Sequence, residues 1–409
     1  MFEFAPIIKS LLRKPAGPLL LIIQLAISIA IISNAFAFIT QRHAYVSEDP
    51  GFKVEGLIKF SVRQDSTKGS LDETITRDMA YLHSLNTVQS AMAITGIPLS
   101  SMGGTSGVSS EPRQEGVTSP TAISSAASII RIGEGGIPTL GARIIQGRDF
   151  NGGEYLRFDR TSPPQTGSII ITQSLANTLF PNDENVLGKV IYESGTGGFT
   201  VIGVIDDMFG HFLKWDFPRQ VIIFPHLFLD NSMHYLVRVD KRNQKDFMID
   251  IVRDFRNSNK DRILDDGKTM KDIVYSAYAG DHAMIKLLSV VLVMLVGVNA
   301  LGVLGLTSFW VSQRRKHIGI RRALGATRVA IMRYFIIENI ILVACAVSLG
   351  AIAAVATSIY MVKAYSFSPL PWIYIPISGL VVLLITLSAA IVPVRKASYI
   401  SPVEAVAGK

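Results

Sequence analysis

Four stretches of this chain run without a charged side chain for long enough to cross a bilayer: they lie within 15–41, 287–313, 339–362 and 364–394. A hydrocarbon core of about 30 Å takes about 20 helical residues, so each stretch predicts a membrane-spanning helix. Lys363 and the turn SFSPLP part the last two, and Trp372 and Tyr374 follow where interfacial aromatics would sit. The first stretch also fits a signal peptide, with AFA ending at Ala37. Its apolar core, Leu19 to Ile39, exceeds the usual ~7–15 residues of such a segment, so a retained span is expected. Ahead of it, Phe4, Ile7, Ile8, Leu11 and Leu12 recur at helical spacing before PAGP breaks the run. That pattern suits a short interfacial helix and equally a plain basic flank.

Between the first and second spans the periodicity changes. GLIKFSVR alternates as a strand, LDETITRDMAYLHSL reads as a helix capped by Ser70 or Asp72, and VQSAMAIT returns as a strand. Late in the same region, QVIIFPHLF and HYLVRV read as strands and KDFMIDIVRDFRN as an amphipathic helix. Residues 95–215 are rich in Gly, Ser and Thr, with short β runs in AASIIRIG, SIIITQ, GKVIYES and FTVIGVID. Within them, 99–128 is largely Ser, Gly, Thr and Pro and reads as a mobile segment. The expected fold is an α-helical membrane protein with four transmembrane helices (one plus three). A large α+β extracytoplasmic domain is inserted between the first and second helices.

Charge sets the orientation. Mean hydropathy is +0.36 and the sequence pI about 9.4, but the net charge of +8 is unevenly placed. Residues 41–282 hold 25 Lys/Arg against 29 Asp/Glu, while the rest of the chain holds 15 against 3. Basic excess beside apolar runs marks cytoplasmic span ends, so nucleic-acid binding is excluded. Lys9, Arg13 and Lys14, the seven basic residues of 314–333, and Arg395 with Lys396 all fall on one side of a four-span protein. The expected place is therefore a bacterial inner membrane, crossed four times, with the large domain in the periplasm.

These readings divide the chain as follows. Residues 1–16 are a cytoplasmic interfacial helix and 17–41 the first span. Residues 42–284 are the periplasmic domain, with a mixed base of 42–94 and 216–284 and a β-rich insertion at 95–215. Spans follow at 285–313, 329–362 and 372–394, joined by a cytoplasmic segment at 314–328 and a periplasmic turn at 363–371. A cytoplasmic tail, 395–409, closes the chain.

Catalytic chemistry is not indicated. No HExxH, GxSxG or GxxxxGK[ST] occurs, so the chain is not expected to be an enzyme or to hold a cofactor or metal. Asp206, Asp207 and His211 match no ligand spacing and read as a solvated strand end. Cys345, the single cysteine, cannot form a disulfide within the chain and reads as a small membrane-buried packing residue. Inside the spans, Ala346, Gly350 and Ala354 recur every fourth residue, which allows helices to approach closely. Asn34 and Asn299 need partners on neighbouring helices. The spans lack the rows of charge that line an ion or solute path.

The informative stretch is RRKHIGIRRALGATR, residues 314–328, with six Lys or Arg and no acid. Plain positive-inside charge explains cations anywhere in such a loop. It does not ask for order, and order is present. Ile318, Ile320, Ala323 and Leu324 can form an apolar ridge, with Arg314, Arg315, Lys316, Arg321 and Arg322 around it. Gly325 is placed as a helix stop and Thr327 as the next cap.

Here HIGIRRALGAT followed by IMRYFIIENIIL resembles the signature of MacB/FtsX-type ABC transporter permeases. GGIPTLGARIIQGRDF, SIIITQSLANTLFP, LGKVIY and FTVIGVIDDM look like that family's periplasmic core domain, and PVRKASYISPVEAV like its C-terminal ending. The resemblance runs over nearly the whole chain, though 99–128 matches no pattern of the family. It implies docking on an ATP-binding subunit through Arg314, Arg315, Lys316, His317, Ile318, Gly319, Ile320, Arg321, Arg322, Ala323, Leu324, Gly325 and Ala326. His317 stands where the family commonly has Glu. The ATPase domain that precedes the first span in MacB itself is not in this sequence, so the resemblance implies a separate cytoplasmic ABC ATPase subunit. It also implies a second permease chain, in a homodimer or related heterodimer, and a periplasmic adaptor protein as a further candidate partner. The implied mechanism is mechanotransmission, in which ATP hydrolysis moves the periplasmic domain. The implied task is efflux of an antimicrobial compound, peptide or toxin. The alternatives are extraction of a lipoprotein or lipid from the membrane, and a scaffold that activates periplasmic cell-wall hydrolases. An adaptor gene beside this one would favour export, and a hydrolase gene the scaffold.

The topology predicts a labelling pattern. With Cys345 replaced, a cysteine at Ser106 reacts with an impermeant maleimide in intact spheroplasts and one at Ser312 does not; the opposite result inverts the protein.

Overall fold

The computed structural model describes residues 11, 15–64, 70–112, 122–158, 164–193, 197–240, 242, 244–258, 262–265, 267–365 and 368–399. The 99–128 segment and the N-terminal 1–16 are therefore covered in part, and residues 400–409 lie outside the described residues. Two units result: one of residues 48–280, the other of 1–47 with 281–409.

The chain enters through helix α1 (Ala16–Val46) and then builds the 48–280 unit. The first part runs β1 (Leu57–Arg63), α2 (Leu71–Ser84), β2 (Val88–Thr95), β3 (Gly104–Ser109) and β4 (Ser124–Ile132). Then come α3 (Gly136–Leu140), β5 (Ile144–Gly147), β6 (Leu156–Phe158), β7 (Gly167–Thr172), α4 (Gln173–Leu179), β8 (Val190–Glu193) and β9 (Gly198–Ile205). The last part is β10 (Val221–Phe224), β11 (His226–Phe228), β12 (Ser232–Val239), α5 (Gln244–Ser258), β13 (Ile263–Leu264), β14 (Lys268–Thr269) and α6 (Met270–Ala277).

The base of this unit is a sheet in the order β2–β12–β1, with β13 and β14 both on β1. Alternation puts Ile58, Phe60 and Val62 of β1 on one face. Phe247, Ile251 and Phe255 of α5 join this core at four-residue spacing, and Ile75 and Leu82 of α2 at seven. Ser70 caps α2 by accepting from the Glu73 N–H at 3.3 Å. Burial forces polar pairing beside this core. Arg262 donates to Asp78 at 2.9 Å and to Gln64 at 3.1 Å, and Tyr235 Oη donates to Asp78 at 2.8 Å.

Six of the remaining strands close on themselves. β10 pairs parallel with β4 and antiparallel with β7, while β7–β9–β8–β3–β4 continues the path. The hydrogen-bonded ring β4–β10–β7–β9–β8–β3 has no free edge, which removes a site for stray strand pairing. Val108, Ile129, Ile169, Ile171, Phe199, Val201 and Phe224 fill it, together with Leu175, Ala176 and Leu179 of α4. The strand 221–224, expected with the base, thus belongs to the ring, and all four of its residues are buried. Part of the stretch expected to be mobile, residues 104–109, is a ring strand, β3.

The expectation of a solvated strand end changes for two of its three residues. Asp206 is an exposed partner of Arg143. Asp207 accepts from Ser174 N at 2.7 Å and from Ser174 Oγ at 2.6 Å, at the start of α4. His211 is fully buried, its ring between the carbonyls of Ile129 (2.9 Å) and Ile97 (3.2 Å). So Asp206 stands at a solvated strand end as expected, while Asp207 and His211 belong to a packed corner. No group of three or more His, Cys, Asp or Glu placed to hold a metal occurs among the described residues.

The second unit joins α1 to α7 (Ala279–Gln313), α8 (Arg315–Ala323), α9 (Arg328–Tyr365) and α10 (Tyr374–Ser398). α1, α7, α9 and α10 are long and apolar enough to cross a membrane. α1 lies against α9. A Cβ on Gly350 would come within 2.9 Å of Ala26 O and Ile29 Cβ, and Ala346 and Ala354 on the same stripe are fully buried. Asn34 Nδ2 donates across this crossing to Ala354 O at 3.1 Å. Ser28 Oγ donates to Asn299 Oδ1 at 2.8 Å, linking α1 to α7. Cys345 faces away from this packing and is exposed, because it precedes Ala346 by one position and so points about 100° from the buried stripe.

Buried histidine gives the domain a pH dependence. His226 is 2% exposed, and burial, with the Arg131 guanidinium nearby, pulls its pKa down to about 4. The unfolded chain takes up this proton near pH 6.5 and the folded one does not. Its contribution is therefore whole above that pH and is lost as pH falls toward 4. Thermal unfolding at pH 7 and pH 5 is expected to differ by about 2 kcal/mol through this group, and His226→Leu should flatten the difference by that amount.

Candidate functional site

The basic stretch folds as a short helix held at both ends. α7 ends at Gln313, and Arg314, with φ −97° and ψ 6°, turns the chain. The Arg314 guanidinium then reaches back to Glu338 of α9, donating to Oε1 at 2.9 Å and to Oε2 at 3.0 Å. Glu338 is 1% exposed, and a lone carboxylate at such a place needs a paired, hydrogen-bonded cation. At the other end, Gly325 N donates to Arg322 O (3.1 Å) and Ala326 N to Arg321 O (3.0 Å). With Gly325 at φ +93°, this is the two-bond glycine stop of a helix. Thr327 Oγ1 then accepts from Ala330 N at 3.2 Å and caps α9.

The apolar positions do not form one ridge. A helical period of 3.6 residues sets Ile318 and Ile320 about 200° apart. Ile318 turns inward and packs with Val311, Ile331 and Phe335, and Gly319 is buried beside it. Ile320, Ala323 and Leu324 turn outward. Leu324 is 83% exposed and Val329, at the start of α9, 73%. Cations surround this outward patch. Arg315 and Lys316 are exposed. Arg321 lies over the Tyr334 ring at 4.9 Å, and Arg322 donates to Ser398 O at 3.2 Å. Arg328 lies over the Tyr399 ring at 4.2 Å. Gly325 is exposed and Ala326 half-buried. The side chain of His317 lies outside the described residues.

Sequence reasoning passed over Glu338, Val329 and the 398–399 end of α10. A carboxylate inside IIENII was the available signal for the first, since an isolated charge in an apolar run requires a partner. No local signal places Ser398 or Tyr399 here. The outward patch is apolar at its centre and cationic at its rim.

A helical unit of one plus three spans, an α/β domain inserted after the first, and a pinned basic helix define a multi-pass inner-membrane protein. Residues 289–402 match the family model described as FtsX-like permease C-terminal. The chain is 26% identical over 318 residues to the macrolide export ATP-binding/permease protein MacB of Campylobacter jejuni, covering 73% of this chain and 47% of that protein. It is 23% identical over 292 residues to the ABC transporter permease YknZ of Bacillus subtilis, covering 68% and 69%. The solved periplasmic region of MacB from Actinobacillus actinomycetemcomitans aligns at 17% identity with a TM-score of 0.33, over 56% of this chain and 96% of that one. Residues 289–402 are thus similar to FtsX-like permeases, and most of the chain is similar to the permease part of MacB and to YknZ. The chain spans about half the length of the MacB relatives it matches.

The ion pair gives a stability test. Glu338→Ala leaves Arg314 without its carboxylate and is expected to lower the melting temperature in detergent more than the paired replacement Arg314→Met with Glu338→Leu. Equal losses would show that the pair does not hold the turn.

Proposed function

We propose that this chain is the membrane subunit through which a cytoplasmic ATPase moves the 48–280 domain. The observation that carries the reading is the outward patch of Ile320, Leu324 and Val329, exposed at 43%, 83% and 73%. It is mounted on a helix fixed at one end by Arg314–Glu338 and at the other by the Gly325 stop. An apolar centre with a cationic rim suits a groove with acidic edges on a partner protein. The centre supplies affinity, and the rim sets encounter rate and register. The segment Arg314–Ala326 is the coupling site in this reading, with Ile318 and Gly319 holding it from within.

Force would pass from that patch into α7 and α9 and, through the continuous chain from α7 to β14, into the base sheet. The work would be done beyond the membrane rather than by passage through the spans. Two permease chains would act over two ATPase subunits. The cargo class that fits is a small antimicrobial compound, a peptide or a toxin, as the macrolide export named for the relatives suggests, with a periplasmic adaptor as a further partner.

Leu324→Asp, alone and with Ile320→Asp, tests this without touching the core residue Ile318. At a hot spot each change costs on the order of 2 kcal/mol, about thirtyfold in affinity. The ATPase that co-purifies with the wild-type protein from native membranes, named by mass spectrometry, should be lost from the variants. Unchanged co-purification would reject the docking role.

A further inference from the structure

Hydroxyl groups in the spanning helices mostly bond within one turn. Thr40 of α1 donates to Phe36 O and Thr357 of α9 to Ala353 O, each at 2.9 Å. Ser33 and Ser378 donate to Ile29 O and Tyr374 O at 2.7 and 2.8 Å. A hydroxyl among apolar spans has no bulk water, and the carbonyl four residues back is the nearest acceptor. Two threonines depart from this. Thr307 of α7 and Thr386 of α10 are 2% and 0% exposed, yet neither hydroxyl has a hydrogen-bond partner among the described residues. Asn339 of α9, 3% exposed, is half used. Its Nδ2 donates to Phe335 O at 2.9 Å, while its Oδ1 is without a donor among the described residues.

The three groups are directed to one place. Each stands on its own helix between two members of a single buried cluster: Thr307 between Val303 and Val311, Asn339 between Phe335 and Val343, Thr386 between Val382 and Ala390. Contacts between helices give the depth. A Cβ on Gly379 would stand 3.0 Å from Val347 Cγ2. Seven residues on along α10, and seven back along the antiparallel α9, Thr386 comes opposite Ile340, the neighbour of Asn339. Helices α7 and α9 are both registered on α1. The Trp310 indole lies against Gly17, which sets Thr307, three residues back, opposite Leu20. Gly350 lies against Ala26 and Ile29, which sets Asn339, eleven residues back, opposite residues 15–18. At 1.5 Å per residue these two levels differ by only about 3–8 Å. Packed helices stand about 8–10 Å apart, so side chains directed between them at this depth reach one small molecule.

The donors and acceptors name that molecule. Two hydroxyl hydrogens need acceptors, and one amide oxygen needs a donor. A cation leaves both hydrogens unbonded, and an anion leaves Oδ1 unbonded. Glu338, next to Asn339 in the chain, is already matched by Arg314. Water both donates and accepts, and a buried water makes about three hydrogen bonds, as many as these groups ask for. Left unmet, each group carries its desolvation penalty without return. Where the protein offers a polar group in the spans no partner of its own, an enclosed water is the partner that remains.

We propose that α7, α9 and α10 enclose a bound water held by Thr307 Oγ1, Asn339 Oδ1 and Thr386 Oγ1, a hydrated joint beside the Arg314–Glu338 pair. It links helices that these three side chains do not join directly. The proposal rests on the packing of the helical unit alone and stands apart from the ATPase reading.

The test compares Thr307→Val, Thr386→Val and the double variant, each as the full chain in nanodiscs, by thermal unfolding. Valine keeps the shape and removes only the hydroxyl. With a shared water, either single change strands the remaining groups and is expected to lower Tm by about 2–4 °C. The double change then lowers it by less than the sum, since both remove the same bridge. A rise in Tm would mean that dry, unmet hydroxyls had been removed, and would overturn the proposal. Unchanged Tm, or losses that add in full, would overturn it as well. Should a variant fail to fold, the wild type decides by itself. Radiolytic hydroxyl labelling, which marks side chains beside bound water, is expected on Phe335 despite its 3% exposure, and no label there would overturn the proposal.

Discussion

Two hydrogen bonds from Arg314 to Glu338, at 2.9 and 3.0 Å, neutralise the one carboxylate in the α9 sequence. In lipid a polar group has no water to turn to, so its partner must come from the protein. That restriction orders the helical unit. It ties the chain turn at residue 314 to α9, just ahead of the start of α8. Ser28 with Asn299, and Asn34 with the Ala354 carbonyl, apply the same rule deeper in the spans. Each pair joins two helices, so polar satisfaction and helix packing are one event.

Once α8 is placed, its faces follow. Ile318 belongs to the buried cluster that also holds Val311, Ile331 and Phe335. The residues about 200° away must then point outward. The exposed Leu324 is a consequence of the buried Ile318, and the glycine stop at 325 keeps the two from exchanging places. The patch is thus presented by a rigid support, which lowers the entropy that any partner would have to overcome.

On the other side of the chain, β1 follows α1, while β14 and α6 precede α7. β1 and β14 are hydrogen-bonded neighbours, Ile58 opposite Thr269 and Lys59 opposite Lys268. The strands that enter and leave the domain are therefore adjacent in one sheet. The six-stranded ring is attached to that sheet through β4, which pairs with β2 as well as with β3 and β10. A closed ring has no edge to pair with other chains.

The four spans and their one-plus-three order were legible in the residues because they rest on local quantities: apolar length and helical period. Ser70, Gly325 and Thr327 were legible for the same reason, since a cap is a contact within one turn. Ring closure was not, because β10 joins β4 and β7 across intervals of about 90 and 50 residues, which no window contains. Nor was the burial of His211, which depends on carbonyls at 97 and 129. The division of the apolar ridge could have been drawn from the helical period alone, but which side faces inward could not. That was decided by Phe335 and Ile331 on a different helix, and the tertiary structure alone brings them to Ile318.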